Sequence, residues 1–263
     1  MSSGSRCLRL LACAFLVAAC TSVEEPEAGP RVVFLVAERE YGTADSLRAF
    51  YSERLAPAGW RARFVEAPPE APERDAFPGL PEALSDAELL VLSVRRRAPR
   101  REELAAVRDH LEEGRPLLAL RTSSRAFHLR GARPPEGHAS WEAFDREVLG
   151  ATYEGHHPDG ECAVRPAAGA AGHRLLEGVG GFPSAKLYRF GIPGEDVRVL
   201  LEGVTAGEEP EPVAWLHAYG ERRARVFFTS LGSSEDFART GFLQLLENAC
   251  AWALEGPGAS AGP

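Results

Sequence analysis

Apolar and polar positions follow two different periods along this chain, and each change of period marks an element. Residues 31–37 (RVVFLVA) form an unbroken apolar run of strand length, the pattern of a strand buried on both faces in a parallel sheet. Over residues 45–55, Leu47, Phe50, Tyr51 and Leu55 recur at helical spacing, and residues 60–65 read as a second strand, completing a β-α-β unit. Residues 66–81 are rich in proline and acid and predict a surface excursion without regular structure. Another buried strand follows at 89–94 (LLVLSV). Pro99 then opens a helix where its missing N–H matters least, Glu102 and Glu103 sit in the first turn, and Gly114 closes it. The next strand is 117–120. Strands and helices thus alternate in the manner of a doubly wound, mostly parallel α/β sheet with helices on both faces.

The second half is less regular. The pattern predicts a helix over 141–149 and short strands near 162–165, 197–201, 213–219 and 226–230. Residues 240–254 form a closing helix whose Phe242, Leu245, Leu246, Ala249, Trp252 and Ala253 trace one apolar stripe.

The first twenty residues differ from the rest. Arg6 and Arg9 supply positive charge, and the apolar run that follows is too short to span a bilayer, which predicts a signal peptide over 1–19. Val17, Ala18 and Ala19 lead into Cys20 as in a lipobox, so Cys20 is the expected lipidation site. Thr21 follows it where an inner-membrane lipoprotein would carry Asp, and the resemblance to such signals implies anchoring at the outer membrane. Residues 21–30 are polar and acidic, a tether; the domain is expected over 31–255 and a small flexible tail over 256–263.

The 263-residue chain is 44% hydrophobic and 26% charged, an ordinary globular composition. Without Arg6 and Arg9 it keeps 28 basic against 38 acidic residues, a net charge near −10, and the lack of a basic stripe argues against nucleic acid as a partner. Of its five cysteines only Cys162 and Cys250 lie beyond the export segment. A disulfide and separate burial are the alternatives for them.

In an open α/β sheet, ligands bind at the carboxyl ends of the strands, so the loop after 117–120 draws attention first. It reads Arg121-Thr122-Ser123-Ser124. A guanidinium there is suited to hold a carboxylate, a phosphate or sugar hydroxyls, and a structural ion pair is the alternative. Ser123 and Ser124 lack the glycines of a nucleophile elbow. His128, His138, His156 and His157 cluster within thirty residues, with Asp159 and Glu161 nearby; imidazole serves proton transfer near neutral pH and also metal ligation. Adjacent histidines on an extended segment point to opposite faces, and no strong zinc spacing is present, so a divalent metal is only an alternative. Glu235 and Asp236 offer carboxylates after the strand ending at Ser230, either for acid-base work or as charges at a helix start. Arg95, Arg96 and Arg97, with Arg100 and Arg101, form either an anion grip or a solvated basic face.

Four segments, residues 120–127 (LRTSSRAF), 153–157 (YEGHH), 212–215 (PVAW) and 226–232 (VFFTSLG), together with a closing helix bearing Asn248 and Trp252, resemble the ThuA-like (trehalose utilisation) family. The resemblance covers about residues 31–255. It implies a flavodoxin-like, class I glutamine amidotransferase-like sheet and an association with sugar catabolism. Amidotransferases carry a cysteine on the turn after the equivalent fourth strand; here Arg121 stands there, which removes a Cys-His mechanism. Ser233 and Arg125 occupy places where relatives tend to carry histidine, and Arg174 follows His173 where they carry proline.

The expectation is an envelope-anchored domain that acts on a small sugar or oxidised-sugar derivative by acid-base chemistry. His156, His157 and Glu235 are the candidate catalytic groups. Arg121, Thr122, Ser123, Ser124, His128, Ser230 and Asp236 are the candidate binding groups. The alternative is a non-catalytic sugar-binding or structural lipoprotein, and the oligomeric state is left open.

Overall fold

The computed structural model describes residues 29–68, 73–158, 160–185, 187–191, 194 and 196–255. The expected signal peptide, Cys20, the tether up to residue 28, Asp159 and the tail 256–263 lie outside the described residues. Four strands open the domain: β1 (Arg31–Ala37), β2 (Arg61–Glu66), β3 (Leu89–Val94) and β4 (Leu117–Leu120). Three helices connect them in turn, α1 (Thr43–Phe50), α2 (Leu80–Leu84) and α3 (Arg101–Glu112). Then come β5 (Tyr153–His156), β6 (Glu161–Pro166), β7 (Phe182–Ala185), β8 (Tyr188–Phe190), β9 (Arg198–Val204), β10 (Glu211–Tyr219) and β11 (Ala224–Thr229), followed by α4 (Ser234–Phe237) and α5 (Thr240–Leu254).

Nine strands form one sheet in the order β2-β1-β3-β4-β11-β10-β9-β6-β7. The first five are mutually parallel; helical crossovers return the chain to the same end between β1, β2, β3 and β4, and β11, arriving through the β10 hairpin, lies parallel to β4. Beyond β11 the pairings turn antiparallel, starting with the tight β10-β11 hairpin. Alternation along β1 divides the core in two. Val32, Phe34 and Val36 pack with Leu47 and Phe50 of α1 and with Phe242, Leu245 and Ala249 of α5. Val33, Leu35 and Ala37 face the opposite layer, with Leu80 of α2 and Leu104, Val107 and Leu111 of α3. Helices therefore cover both faces of the parallel half, which is why β3 and β4 are buried at every position while β2 alternates as an edge strand.

Two expected elements differ. Residues 66–81 are not without structure: a 3-10 turn (Glu73–Asp75) and α2 start within them, burying Ala76, Phe77 and Leu80. Pro81 in the first turn of α2 starts a helix rather than breaking one. The helix expected over 141–149 shrinks to one π-helical turn, Asp145–Leu149, while Trp141 and Phe144 ahead of it pack edge to face. Gly150 ends the turn at φ +81°, where a Cβ would lie 2.6 Å from Val197 Cγ2, so only glycine fits. Cys162 and Cys250 are buried free thiols, so no disulfide links them. Burial pushes both thiols up from the usual range.

A separate two-stranded antiparallel sheet, β5 with β8, carries Tyr153, Gly155, His156 and Tyr188. Its register slips between Tyr153 and Gly155, and Gly155 adopts φ +147° at the slip.

Candidate functional site

The carboxyl ends of β1, β3 and β4 open into a cleft of about 480 Å³, flanked by the β5-β8 sheet. Its size falls within the range of roughly 300–1,000 Å³ usual for small-molecule sites. Glu40 and Tyr41 reach it from the loop after β1, Arg95 and Arg96 from the loop after β3, and Arg121, Thr122, Ser124 and Arg125 from the turn after β4. Arg130, Tyr153, Gly155, His156 and Tyr188 complete the lining. The two arginine loops are tied together, since the Arg96 and Arg97 amides donate to the carbonyls of Arg125 and Ala126 at 2.9 and 2.8 Å. Buried Glu38 shapes the first loop: its carboxylate accepts from the amides of Tyr41 (3.1 Å) and Thr43 (2.9 Å).

Arg121 is the first residue after β4 and holds a left-handed φ of +44°. Arg96 and Arg130, at +52° and +57°, share this conformation and this cleft. Such strained positions persist only where the surroundings enforce them, and they gather at functional sites. Arg121 is 2% exposed; its Nη1 donates to the Ser230 carbonyl at 3.0 Å, and its Nε and Nη2 have no hydrogen-bond partner. The guanidinium carbon lies 4.1 Å from the centre of the Tyr41 ring and 4.8 Å from that of Tyr188. Thr122 Oγ1 and Ser124 Oγ are likewise buried without a partner. Burial raises the Tyr188 phenol above its ordinary value, against the pull of Arg121, so it stays a protonated donor. Arg125 is spent differently, on the Tyr153 carbonyl (2.9 Å) and the His128 ring (3.0 Å).

Of the residues proposed from sequence, Arg121, Thr122, Ser124 and His156 line this one cleft. Ser123 does not: its hydroxyl donates to the Leu92 carbonyl at 2.8 Å and accepts from the Val94 amide, pinning the turn to β3. Ser230 contributes its carbonyl to Arg121. His128 sits behind the lining, between Arg125 and Glu142. His157 points away from His156, as alternation on a strand requires, and sits buried with Glu208 and Glu211 on its two ring nitrogens, beside a separate hollow of about 150 Å³. Glu235 is exposed in the first turn of α4 and is not part of the cleft lining. Asp236 is sealed within a capping box. Among the described residues no three His, Cys, Asp or Glu side chains are gathered as a metal ion would need.

Arg95 and Arg96, read as an anion grip or a solvated basic face, line the cleft, whereas Tyr41, Glu40, Arg130 and Tyr153 were not singled out as site residues by pattern. The loop after β1 could have been, because it follows a buried parallel strand just as the loop after β4 does. Arg130 and Tyr153 carry no such signal.

The chain is similar in fold to a putative ThuA-like protein from Parabacteroides merdae, with a TM-score of 0.64 at 16% identity over 89% of this chain and 94% of that one. A putative ThuA-like protein from Bacteroides uniformis is similar too, with a TM-score of 0.61 at 15% identity over 88% and 94% of the two chains. No curated protein sequence matches it. The ThuA family, described as trehalose utilisation, matches residues 70–253, a span that includes the turn after β4, the β5-β8 sheet and α5. By that match, this chain belongs to the ThuA (trehalose utilisation) family.

Proposed function

We propose that this ThuA-family domain binds and converts a small carbohydrate derivative in the cleft at the carboxyl ends of β1, β3 and β4. One observation carries the reading. Chain segments far apart in sequence bring a buried guanidinium (Arg121), two free hydroxyls (Thr122, Ser124), a phenol (Tyr188) and an imidazole (His156) to one hollow of small-molecule size. In this reading Arg121, Thr122, Ser124 and Tyr188 bind ligand oxygens, and His156, exposed on β5, takes and returns a proton. No cysteine lines the cleft among the described residues, which fits acid-base chemistry rather than a thiolate nucleophile.

The test is a panel of glycosides and keto-sugars screened by thermal shift for binding and by NMR for conversion. A sugar derivative that raises the melting temperature and is converted by wild type, but is only bound by His156→Ala, is the expected result. Binding without conversion by wild type leaves a non-catalytic sugar-binding protein. A panel in which nothing binds and nothing is converted overturns the carbohydrate reading.

The same proposal places the domain on the cell envelope through a lipid at Cys20. It is supported by the basic, apolar and small-residue order of residues 6–20. Palmitate labelling should be lost in Cys20→Ser; equal labelling of both forms would remove the anchor.

A further inference from the structure

Arg121 holds an ionic charge with no counter-charge beside it among the described residues. Among the described residues no carboxylate lies within ion-pairing distance of it, and two of its donor nitrogens, Nε and Nη2, are unbonded. A guanidinium cannot shed its proton to escape burial, so an uncompensated one is kept for a ligand or not kept at all.

The geometry says which ligand group fits. Nη1 is occupied by the Ser230 carbonyl, and the Tyr41 and Tyr188 rings lie against the guanidinium. What remains is the Nε–Nη2 edge, two parallel donors spaced for the two oxygens of a planar anion. On the same turn, Thr122 Oγ1 and Ser124 Oγ are two more buried hydroxyls with no partner. The surroundings carry positive charge as well. Arg95, Arg96, Arg125 and Arg130 line the cleft, whereas the single lining carboxylate among the described residues, Glu40, is already bridged to Arg95 at 2.9 Å. Burial, then Arg130, Arg95 and Arg125 in that order, lower the Arg96 pKa, as expected of cations crowded without enough anions.

We propose that the cleft recognises its ligand through a carboxylate, held side-on by Nε and Nη2 of Arg121 with Thr122 and Ser124 beside it, so that the substrate class is a sugar acid. The sugar part of this assignment rests on the carbohydrate reading above; the carboxylate part does not. Both nitrogens are shielded from solvent, so binding of the carboxylate requires part of the cleft wall to move aside. A phosphate is the competing anion for this edge, and the titration separates it from a carboxylate.

Calorimetric titration of the full chain with D-glucuronate, D-galacturonate, D-gluconate, D-glucose, methyl D-glucuronate ester, D-glucose 6-phosphate and citrate tests both parts. At least one sugar acid should bind ten or more times more tightly than D-glucose and the ester. Arg121→Lys, which keeps the charge but loses the paired edge, should weaken that acid at least tenfold at an unchanged melting temperature. Should the lysine variant fail to fold, the Thr122→Val/Ser124→Ala double variant is expected to weaken the acid several-fold.

Equal affinity for D-glucose and the acids, no binding by any acid, or an acid affinity indifferent to Arg121→Lys in a folded protein overturns the proposal. Tighter binding of D-glucose 6-phosphate than of every acid overturns it in favour of a phosphate site. If citrate alone binds, and does so through Arg121, the carboxylate site stands and the carbohydrate reading falls. If neutral sugars bind and are converted as well as acids, the carbohydrate reading stands and the carboxylate site falls.

Discussion

Two charged side chains are sealed at the same end of the sheet, and they are treated in opposite ways. Asp236, fully buried in α4, accepts from the Ser184 hydroxyl (2.6 Å), the Gly232 and Ser233 amides (2.8 and 2.9 Å) and the Ser233 hydroxyl (3.0 Å). Arg121, one loop away after β4, makes one hydrogen bond to protein and leaves two donors idle. The acid is built into the fold: it caps α4 and ties the loop after β11 to β7. The base is built into the cleft. A buried charge satisfied on all sides reports architecture, and one left unsatisfied in a hollow reports a ligand. Sequence alone named both as candidate binding groups, each with a structural alternative, because both are charged residues that follow a strand end.

The largest effect expected from this contrast is at Asp236. Asp236→Ala strands two amides and two hydroxyls in the interior, and should lower unfolding stability by about 4 kcal/mol in a urea titration. Asp236→Asn, which keeps part of the set, should lose less. A loss under about 1 kcal/mol for the alanine variant would break the contrast from its structural side.

His110 sharpens it from another direction. It lies buried near the end of α3, at the opposite end of the sheet, with Nε2 on the Pro116 carbonyl at 3.0 Å and Nδ1 unpartnered. An orphan atom is therefore not a site by itself. The imidazole has a way out that a guanidinium lacks, because burial holds its pKa down to about 4 and it stays neutral. The folded pKa is below the unfolded one, so the unfolded chain takes up the proton first as pH falls. Stability should decline by about 3 kcal/mol from pH 6.5 down to about 4 on this account and level off below that. His110→Gln should show a correspondingly shallower decline in unfolding titrations at stepped pH. An identical decline in both proteins would remove His110 as its cause.

Much of the fold was legible because its parallel half repeats long, unambiguous patterns. The apolar runs of β1, β3 and β4 admit one reading, and the stripe of α5 spans fifteen residues. The parts that escaped are short. β5, β7 and β8 have four, four and three residues, too few for a period to show, and Pro183 within β7 argued against a strand. α2 was hidden in a proline-rich segment because one turn of helix carries no repeat.

The candidate site divides along the same line. Arg121, Thr122 and Ser124 followed from the rule that ligands gather where parallel strands end. Tyr41 and Arg130 belong to the cleft only because separate loops converge in space. His156 and His157 could not be told apart by type, and only the pairing of β5 with β8 settles which one faces the cleft. Glu235 sits one position ahead of the capping acid of α4, and exposure in that single turn separates it from the hollow.

The smallest stability effect is expected at Arg121, and it tests the central claim most directly. The measurement is the unfolding free energy of Arg121→Met beside wild type, without ligand and again with a saturating ligand found in the screens above. Methionine fills the space without a charge, so the ligand-free variant should match wild type to within about 1 kcal/mol or exceed it. Ligand should then stabilise wild type and leave the variant unmoved. A ligand-free loss of several kcal/mol, with ligand stabilisation preserved, would show that Arg121 serves the fold and that the cleft does not depend on it.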